Sequence, residues 1–323
     1  MIIMIRAIDL GNNGEKTVTL EEIRNLDLAG LWLELVDPSP EELKAVSEKA
    51  QIATSFLRLP KIDSFVDLRL EAGFSIITFV VVEDVAVSKE VYPIVMAFSK
   101  NYLITVTKKE VQPIINIAKE RMSKTKIDPP AQVTYFIIDE IVANHYEHLE
   151  KLETLTAQIE EEVVETTTPK ETIKKIFNLK SKMISFNKTL WYERGLIFNL
   201  KQCGDNCMPT KARNLFDTTH EDLTRQIDIV ETYREILSDA INVHLSAVSN
   251  KINLSIKGLT VVIFYLTIVT TVTSFPNTVA TFFGISQFGN TNVSIIISLM
   301  VLSIILPFLW LWKKKWLKLR ETD

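Results

Sequence analysis

Residues 258–312 contain no Asp, Glu, Lys, Arg or His. A helix facing water needs a polar face, so a run of this length is foreign to the surface of a soluble domain. The hydrocarbon core of a bilayer takes roughly twenty helical residues. The run therefore predicts two membrane spans and a short connection. Residues 258–285 hold the first span, with its apolar heart at 259–283, and 293–312 hold the second. Between them, 286–292 read Ser-Gln-Phe-Gly-Asn-Thr-Asn, polar and too short for a domain. Lys257 precedes the first span, and Lys313, Lys314 and Lys315 open the tail 313–323. Both charged flanks lie on one side, which the positive-inside rule makes cytoplasmic. The chain is expected to be a multi-pass protein of the cell membrane with both termini in the cytoplasm.

The residues before the hairpin are expected to form a cytoplasmic α+β domain. The start, Met1 to Arg6, is apolar but lacks a basic region and a cleavage site, so it reads as a strand rather than a signal peptide. Residues 1–130 carry β-branched and apolar runs at 31–36, 75–82 and 102–107, which predict strands. Ser39, Pro40 and Glu42 spell N-cap, first helical residue and capping box, and a further helix is expected after Pro113. The sheet order is open. Residues 131–209 are rich in helix formers with one break at 166–169, where Thr168, Pro169 and Glu171 repeat the capping pattern. They predict a helical hairpin. Its first arm is acidic, with Glu160, Glu161 and Glu162 its densest part. That arm is either a solvated face or a cation-attracting surface. Cys203 and Cys207 are expected to be reduced loop thiols, because a cytoplasmic disulfide is rare, and they lack the partners of a zinc site. A formal net charge of −4 argues against a nucleic-acid partner. No nucleophile–base set or phosphate-cradling loop is evident among nine glycines. An enzyme is not expected, nor an organic cofactor.

Residues 210–257 contain neither Gly nor Pro and predict a long stalk helix. Leu223, Ile227, Val230, Leu237, Ile241, Leu245, Val248, Ile252, Ile256 and Leu259 recur at helical spacing. So narrow a stripe suits packing against copies of the same helix. A polar series also recurs at seven-residue steps: Ser246, Asn253, Thr260, Thr267, Ser274 and Thr281. Thr271 and Thr278 fall between them. Hydroxyls can be satisfied locally by bonding the carbonyl four residues back, or they can serve helix interfaces. A series unbroken over several turns better fits a water-filled axis. One hairpin cannot enclose a channel, so several copies must each donate a first span. No carboxylate lies in the series, so an ion would pass largely hydrated, as suits Mg²⁺.

The chain here resembles the CorA family of divalent-cation channels. The residues that carry the resemblance are Glu231-Thr-Tyr-Arg-Glu235, Ser249-Asn-Lys-Ile-Asn253, Leu266-Thr267, Phe275-Pro276-Asn277-Thr278, Phe283-Gly284 and Lys313-Lys-Lys-Trp-Leu317. The resemblance implies a homopentamer in a lipid bilayer, with a pore-lining first span and an outer ring of second spans. It implies transport of Mg²⁺, with Co²⁺ or Ni²⁺ as further cargo, and gating by Mg²⁺ bound between protomers. Asn253 matches the Asn at the cytoplasmic pore mouth, and Ile256 with Leu259 match its hydrophobic constriction. Thr278 matches the Thr two residues after the span's Pro. The lysines at 313–315 match a basic ring at the inner mouth and also suit membrane anchors.

Two departures stand out. Gly284-Ile285-Ser286 replaces the family's Gly-Met-Asn signature. The stretch from Thr260 to Thr267 carries seven extra residues, one heptad, which lengthens the helix by about 10 Å and keeps the polar series in register. Asp217 and Asp222 lie near the part of the stalk that gates in the family, without a residue-by-residue match, and no metal ligand is assigned. The alternatives are a Zn²⁺ transporter of the same fold and a non-conducting pentamer that senses cations or acts as a scaffold.

Overall fold

The computed structural model describes residues 4–12, 14–60, 66–71, 73–85, 91–123, 130–165, 169–205 and 207–283, with part of 294–309. Two compact units are present, one up to His244 and one from Leu245 onward.

The first unit is built on a sheet of seven strands: β1 (Met4–Asp9), β2 (Glu15–Thr17), β3 (Leu31–Val36), β4 (Asp67–Glu71), β5 (Phe74–Val82), β6 (Val91–Phe98) and β7 (Tyr102–Thr107). Their order is β2-β1-β3-β7-β6-β5-β4. β3 and β7 are parallel, from Leu31 opposite Tyr102 to Val36 opposite Thr107. The other five neighbouring pairs are antiparallel. The three runs read from sequence as strands are β3, β5 and β7, and the start of the chain is β1. β5 is apolar almost throughout because both of its faces are covered.

Strand alternation sends side chains to two cores. Leu33 and Leu35 join Ile23, Leu43, Val46 and Leu57 on one face, under α1 (Leu20–Asn25), α2 (Pro40–Ala50) and α3 (Thr54–Leu57). Trp32 faces the other way and joins Val111, Ile115 and Ala118 of the opposite layer. That layer is α4 (Gln112–Ser123) and α5 (Pro130–Glu165), with α6 (Pro169–Gln202) returning along α5. The capping box of α2 forms as expected: Glu42 N–H donates to Ser39 Oγ, and Ser39 N–H donates to the Glu42 carboxylate. Thr19 and Glu22 form the same box on α1. Thr168 lies outside the described residues.

Glu34 shares the face of Trp32 and is fully buried. It is matched by Arg6 at 3.0 Å, Lys119 at 2.7 Å and the Gln112 amide at 3.0 Å. Buried carboxylates survive only with such partners.

α7 (Thr210–Phe283) begins in this unit. Phe216, Leu223, Ile227, Val230, Leu237 and Ala240 enter the same core as α5 and α6. This corrects the reading of the stalk stripe as a surface for other copies: up to Leu237 it is consumed within the chain. Leu245, Ile252, Ile256 and Leu259, all in the second unit, are more than half exposed.

The cysteine expectation is also corrected. Cys203 and Cys207 form a disulfide, with Cα atoms 5.9 Å apart. The turn after α6 brings them together. Asp205 accepts from Thr210 and Arg213, Arg213 also donates to the Cys203 carbonyl, and Cys207 N–H donates to the Gly204 carbonyl. A five-residue loop closed in this way falls inside the Cα separation that a disulfide needs.

A polar chain crosses the core of α5, α6 and α7. Gln226 Nε2 donates to the Val142 carbonyl at 2.9 Å, and its Oε1 meets His145 Nδ1 at 3.1 Å. Nδ1 therefore carries the proton, and His145 Nε2 faces Glu193 Oε2 at 3.6 Å, beyond hydrogen-bond reach. Burial holds Glu193 well above the ordinary carboxyl range, and burial lowers His145 to about 3. Burial thus favours the neutral form of both side chains. A raised folded-state pKa means that the native protein holds this proton more tightly than the unfolded chain. The contribution is full below the ordinary value of 4.5 and falls as pH rises above it. Glu193→Gln keeps the shape and the donor but cannot ionise. Its melting temperature relative to wild type is expected to climb steadily as pH is raised from 5 to 9. Parallel melting curves for the two proteins across that range would show that Glu193 titrates normally.

Candidate functional site

The polar series lies on the membrane-length part of α7. Among the described residues, α7 is the helix long and apolar enough to cross a bilayer, and no residue of its apolar window is buried in the single chain. At 3.6 residues per turn, Asn253, Thr260, Thr267, Thr271, Ser274, Thr278 and Thr281 fall within an arc of about 80°. Val262 and Val269 fall on the opposite face. Ile256 lies inside the arc, Ile263 at its border and Leu259 about 40° outside it. The arc therefore reads amide, apolar, then mainly hydroxyl from residue 253 upward.

The threonine hydroxyls have one bonding pattern. Oγ1 of Thr260, Thr267 and Thr271 donates at 2.8 Å to the carbonyls of Ile256, Ile263 and Thr267. Thr278 donates at 2.9 Å to Ser274 and Thr281 at 2.8 Å to Asn277. Thr270 and Thr273, off the arc, make the same bond. The local satisfaction weighed from sequence is thus real, and it has a chemical consequence. Each hydroxyl has one donor and two lone pairs. With the donor turned back into the helix, the arc presents acceptors. It also contains no charge between residues 258 and 283.

Pro276 sits inside α7. It cannot donate to the carbonyl of Val272, a break that membrane helices tolerate.

Of the signature, Gly284, Ile285 and Ser286 lie outside the described residues, as do Lys313, Lys314 and Lys315. The second span is described in part, and Ser294, Ile295, Ile297, Ser298, Met300, Val301, Leu302, Ile305, Leu306 and Leu309 are helical.

The acidic arm of α5 is ion-paired at four of its carboxylates. Arg121 holds Asp139 at 2.6 Å and Glu140 at 2.9 Å, Lys151 holds Glu147 at 2.9 Å, and Lys175 holds Glu162 at 2.8 Å. On α7, Asp217 is bound by Lys201 at 2.6 Å, and Asp222 accepts from the Tyr146 hydroxyl at 3.3 Å. No group of three or more His, Cys, Asp or Glu side chains among the described residues could hold a metal ion. These pairs suit the solvated-face reading of the arm. The sequence reading passed over the buried chain of His145, Glu193 and Gln226, which carries no motif.

Known proteins resemble this chain along most of its length. The cobalt/magnesium transport protein CorA of Methanocaldococcus jannaschii is 24% identical over 298 residues, covering 88% of each protein. The cobalt/magnesium transport protein CorA of Thermotoga maritima is 32% identical over 128 residues, 40% of this chain and 36% of that protein. The complete structure of the Methanocaldococcus jannaschii CorA magnesium transporter superposes with a TM-score of 0.69 at 21% identity, covering 97% of this chain and 98% of that one. The family model described as CorA-like Mg²⁺ transporter protein matches residues 28–315. The chain belongs to the CorA-like Mg²⁺ transporter family.

Proposed function

We propose that this chain is a subunit of a homopentameric divalent-cation channel that passes Mg²⁺ with its first shell of water. The carrying observation is the acceptor face of α7. A hydrated cation turns water hydrogens outward, and those hydrogens need acceptors. The arc supplies them at Thr260, Thr267, Thr271, Thr278 and Thr281, because each hydroxyl proton is already spent on the helix. A carboxylate cage could strip the ion, but residues 258–312 hold none. Mg²⁺ gives up its waters reluctantly, so a path that leaves them in place suits it. An anion would meet lone pairs and be repelled.

In this reading the arc of each first span faces the axis and the second span, 293–312, faces lipid. Residues 286–292 lie outside the cell, and Lys257 with Lys313, Lys314 and Lys315 hold the cytoplasmic side. Five copies follow from the family resemblance, and the exposed apolar faces of Leu245, Ile252, Ile256 and Leu259 suit burial against neighbours. The described residues of one chain form no metal cluster. A gating Mg²⁺ would therefore draw ligands from two protomers.

Three outcomes are expected. Single cysteines at 267, 271, 274 and 278, placed in a Cys203→Ser, Cys207→Ser background, react with small hydrophilic thiol reagents, whereas cysteines at 262 and 269 do not. Equal labelling of both sets would make the hydroxyls a packing surface. In proteoliposomes offered Mg²⁺, Co²⁺, Ni²⁺ and Zn²⁺, the wild type carries Mg²⁺ with weak selectivity. Ser286→Asn sharpens its preference, because an amide reaches further than a hydroxyl and offers more bonds. Uptake of Zn²⁺ in preference to the others would assign the Zn²⁺ branch, and no uptake by the wild type a non-conducting pentamer. Finally, Mg²⁺ at a hundredfold its dissociation constant stabilises whatever state binds it by about 2.7 kcal/mol. Millimolar Mg²⁺ should therefore slow proteolysis of the soluble unit in the assembled protein, and an unchanged digestion pattern would remove Mg²⁺ gating.

A further inference from the structure

The first unit contains a cavity of about 1220 Å³ that the channel reading does not use. It lies where the two parallel strands end. β3 stops at Val36 and β7 at Thr107, directly opposite each other. The chain then leaves β3 through Asp37 and Pro38 into α2, whose Leu43 and Val46 cover one face of the sheet. It leaves β7 through Lys108 and Lys109 into α4, whose Ile114 and Ile115 cover the other face. Adjacent parallel strands whose crossovers diverge to opposite faces open a crevice beyond their carboxyl ends. In open α/β sheets that crevice is where ligands bind.

The lining has a definite chemistry. Val36, Leu43, Leu59 and Val106 give it an apolar floor, and Arg58, Lys108 and Lys109 stand around it. Among the described residues no carboxylate lies within ion-pair distance of those three cations. A fourth cation in the wall, Arg6, is neutralised by Glu15 at 3.2 Å and Glu34 at 3.0 Å. Among the described lining residues the one acidic side chain is Asp37. Its carboxylate accepts the Lys109 N–H at 3.1 Å, and its own N–H donates to the Thr107 carbonyl at 2.9 Å. Asp37 is thereby held at φ 46, a left-handed conformation uncommon for a side chain other than Gly and frequent at ligand sites. The wall is fixed as well: Gln112 is bound by Arg6, Glu34 and Thr107. Lys108 lies over the Tyr92 ring, 5.4 Å from its centre, and three cations with no carboxylate partner among the described residues, around a rigid apolar floor, are more than a core or a solvated surface requires.

We infer that this switch-point cavity binds a nucleoside polyphosphate, with its base on the Val36–Leu43–Leu59–Val106 floor and its phosphates on Arg58, Lys108 and Lys109. The volume is ample for such a ligand, since small-molecule sites run to about 1,000 Å³. Charge sets a further preference. Mg²⁺ on a triphosphate cancels part of the negative charge that the cations recognise. The site therefore takes the metal-free nucleotide over its Mg²⁺ complex, and its occupancy rises when Mg²⁺ is scarce. This inference stands on the soluble unit alone and does not depend on conduction.

The test is equilibrium binding of ATP to the full chain in detergent, by calorimetry, with EDTA or with excess Mg²⁺. Saturable binding of one ATP per chain is expected in EDTA, weakened by Mg²⁺ and by added salt. Lys108→Gln with Lys109→Gln is expected to weaken it about tenfold or more, as the loss of charge-assisted bonds to phosphate requires. Arg58→Gln should weaken it similarly. All three residues are exposed, so the variants should melt like wild type. Asn116→Trp, which fills the cavity without changing charge, should abolish ATP binding. Adenosine and tripolyphosphate should each bind much more weakly than ATP. The inference fails if ATP does not bind saturably, if the charge variants bind as wild type does, or if tripolyphosphate binds as tightly as ATP.

Discussion

The parallel contact between β3 and β7 is what the soluble unit depends on. Every other strand pair is antiparallel and joins neighbours in the sheet within one half of the domain or the other. β3 and β7 are separated by some seventy residues and are the seam between β2-β1-β3 and β7-β6-β5-β4. Parallel strands are stable only when both faces are covered, and α2 and α4 provide that cover from opposite sides. The seam also carries the buried charge. Glu34 on β3 reaches Lys119 on α4 and Arg6 on β1, and the Lys119 ammonium lies 5.3 Å from the Trp32 ring centre. Removing one member would strand a charge in the core, which is far more damaging than replacing the whole set with apolar groups. The cluster thus fixes which strands meet and how α4 lies across them. The crevice at their carboxyl ends is a by-product of that arrangement.

α7 shows one periodicity serving two ends. Its apolar positions keep the same spacing from Leu223 to Leu259, yet Leu223 and Leu237 are fully buried while Ile256 and Leu259 are more than half exposed. Spacing identifies a face and says nothing of what covers it. The first part meets α5 and α6 of its own chain. The rest lies beyond His244, where the second unit begins.

Much of the fold was legible because its signals are local. The capping box of α2 requires only Ser39 and Glu42 three residues apart, and β5 announces itself by an apolar run. β6 was missed because Tyr92 and Pro93 break its pattern. Pro is tolerated there because β7 pairs only with Val95–Phe98, leaving Pro93 with a strand on one side alone. The short edge strands β2 and β4 carry too few buried residues to show a period. The disulfide was misjudged because compartment was weighed and turn geometry could not be. Long-range polar contacts left no trace in the sequence: nothing near Glu193 or Gln226 points to His145. In the candidate site, the arc of hydroxyls was legible from seven-residue steps, but the direction of their protons was not. That direction turns a generic polar stripe into a surface of acceptors.

The arc also has a composition gradient with a physical meaning for the proposed channel. Between Asn253 and Thr260 it passes Ile256, with Leu259 about 40° to one side. In a ring of five copies, those side chains would face water with no acceptor to offer. A hydrated cation crossing them loses outer-shell hydrogen bonds without replacement, and a narrow apolar ring favours emptying of water altogether. Above them Thr260, Thr267, Thr271, Ser274 and Thr278 replace those bonds at every turn or two. In the proposed channel the barrier would therefore be short and would sit at one end of the arc, beside the amide of Asn253. A small widening at that end would admit water, and the hydroxyl-lined length above it would not need to move. The extra heptad that the family resemblance implies between Thr260 and Thr267 would lengthen the permissive part of that path and leave the barrier unchanged. Seven residues turn the helix to within about 20° of its starting direction, whereas an insertion of five would swing the hydroxyls above it by about 140°.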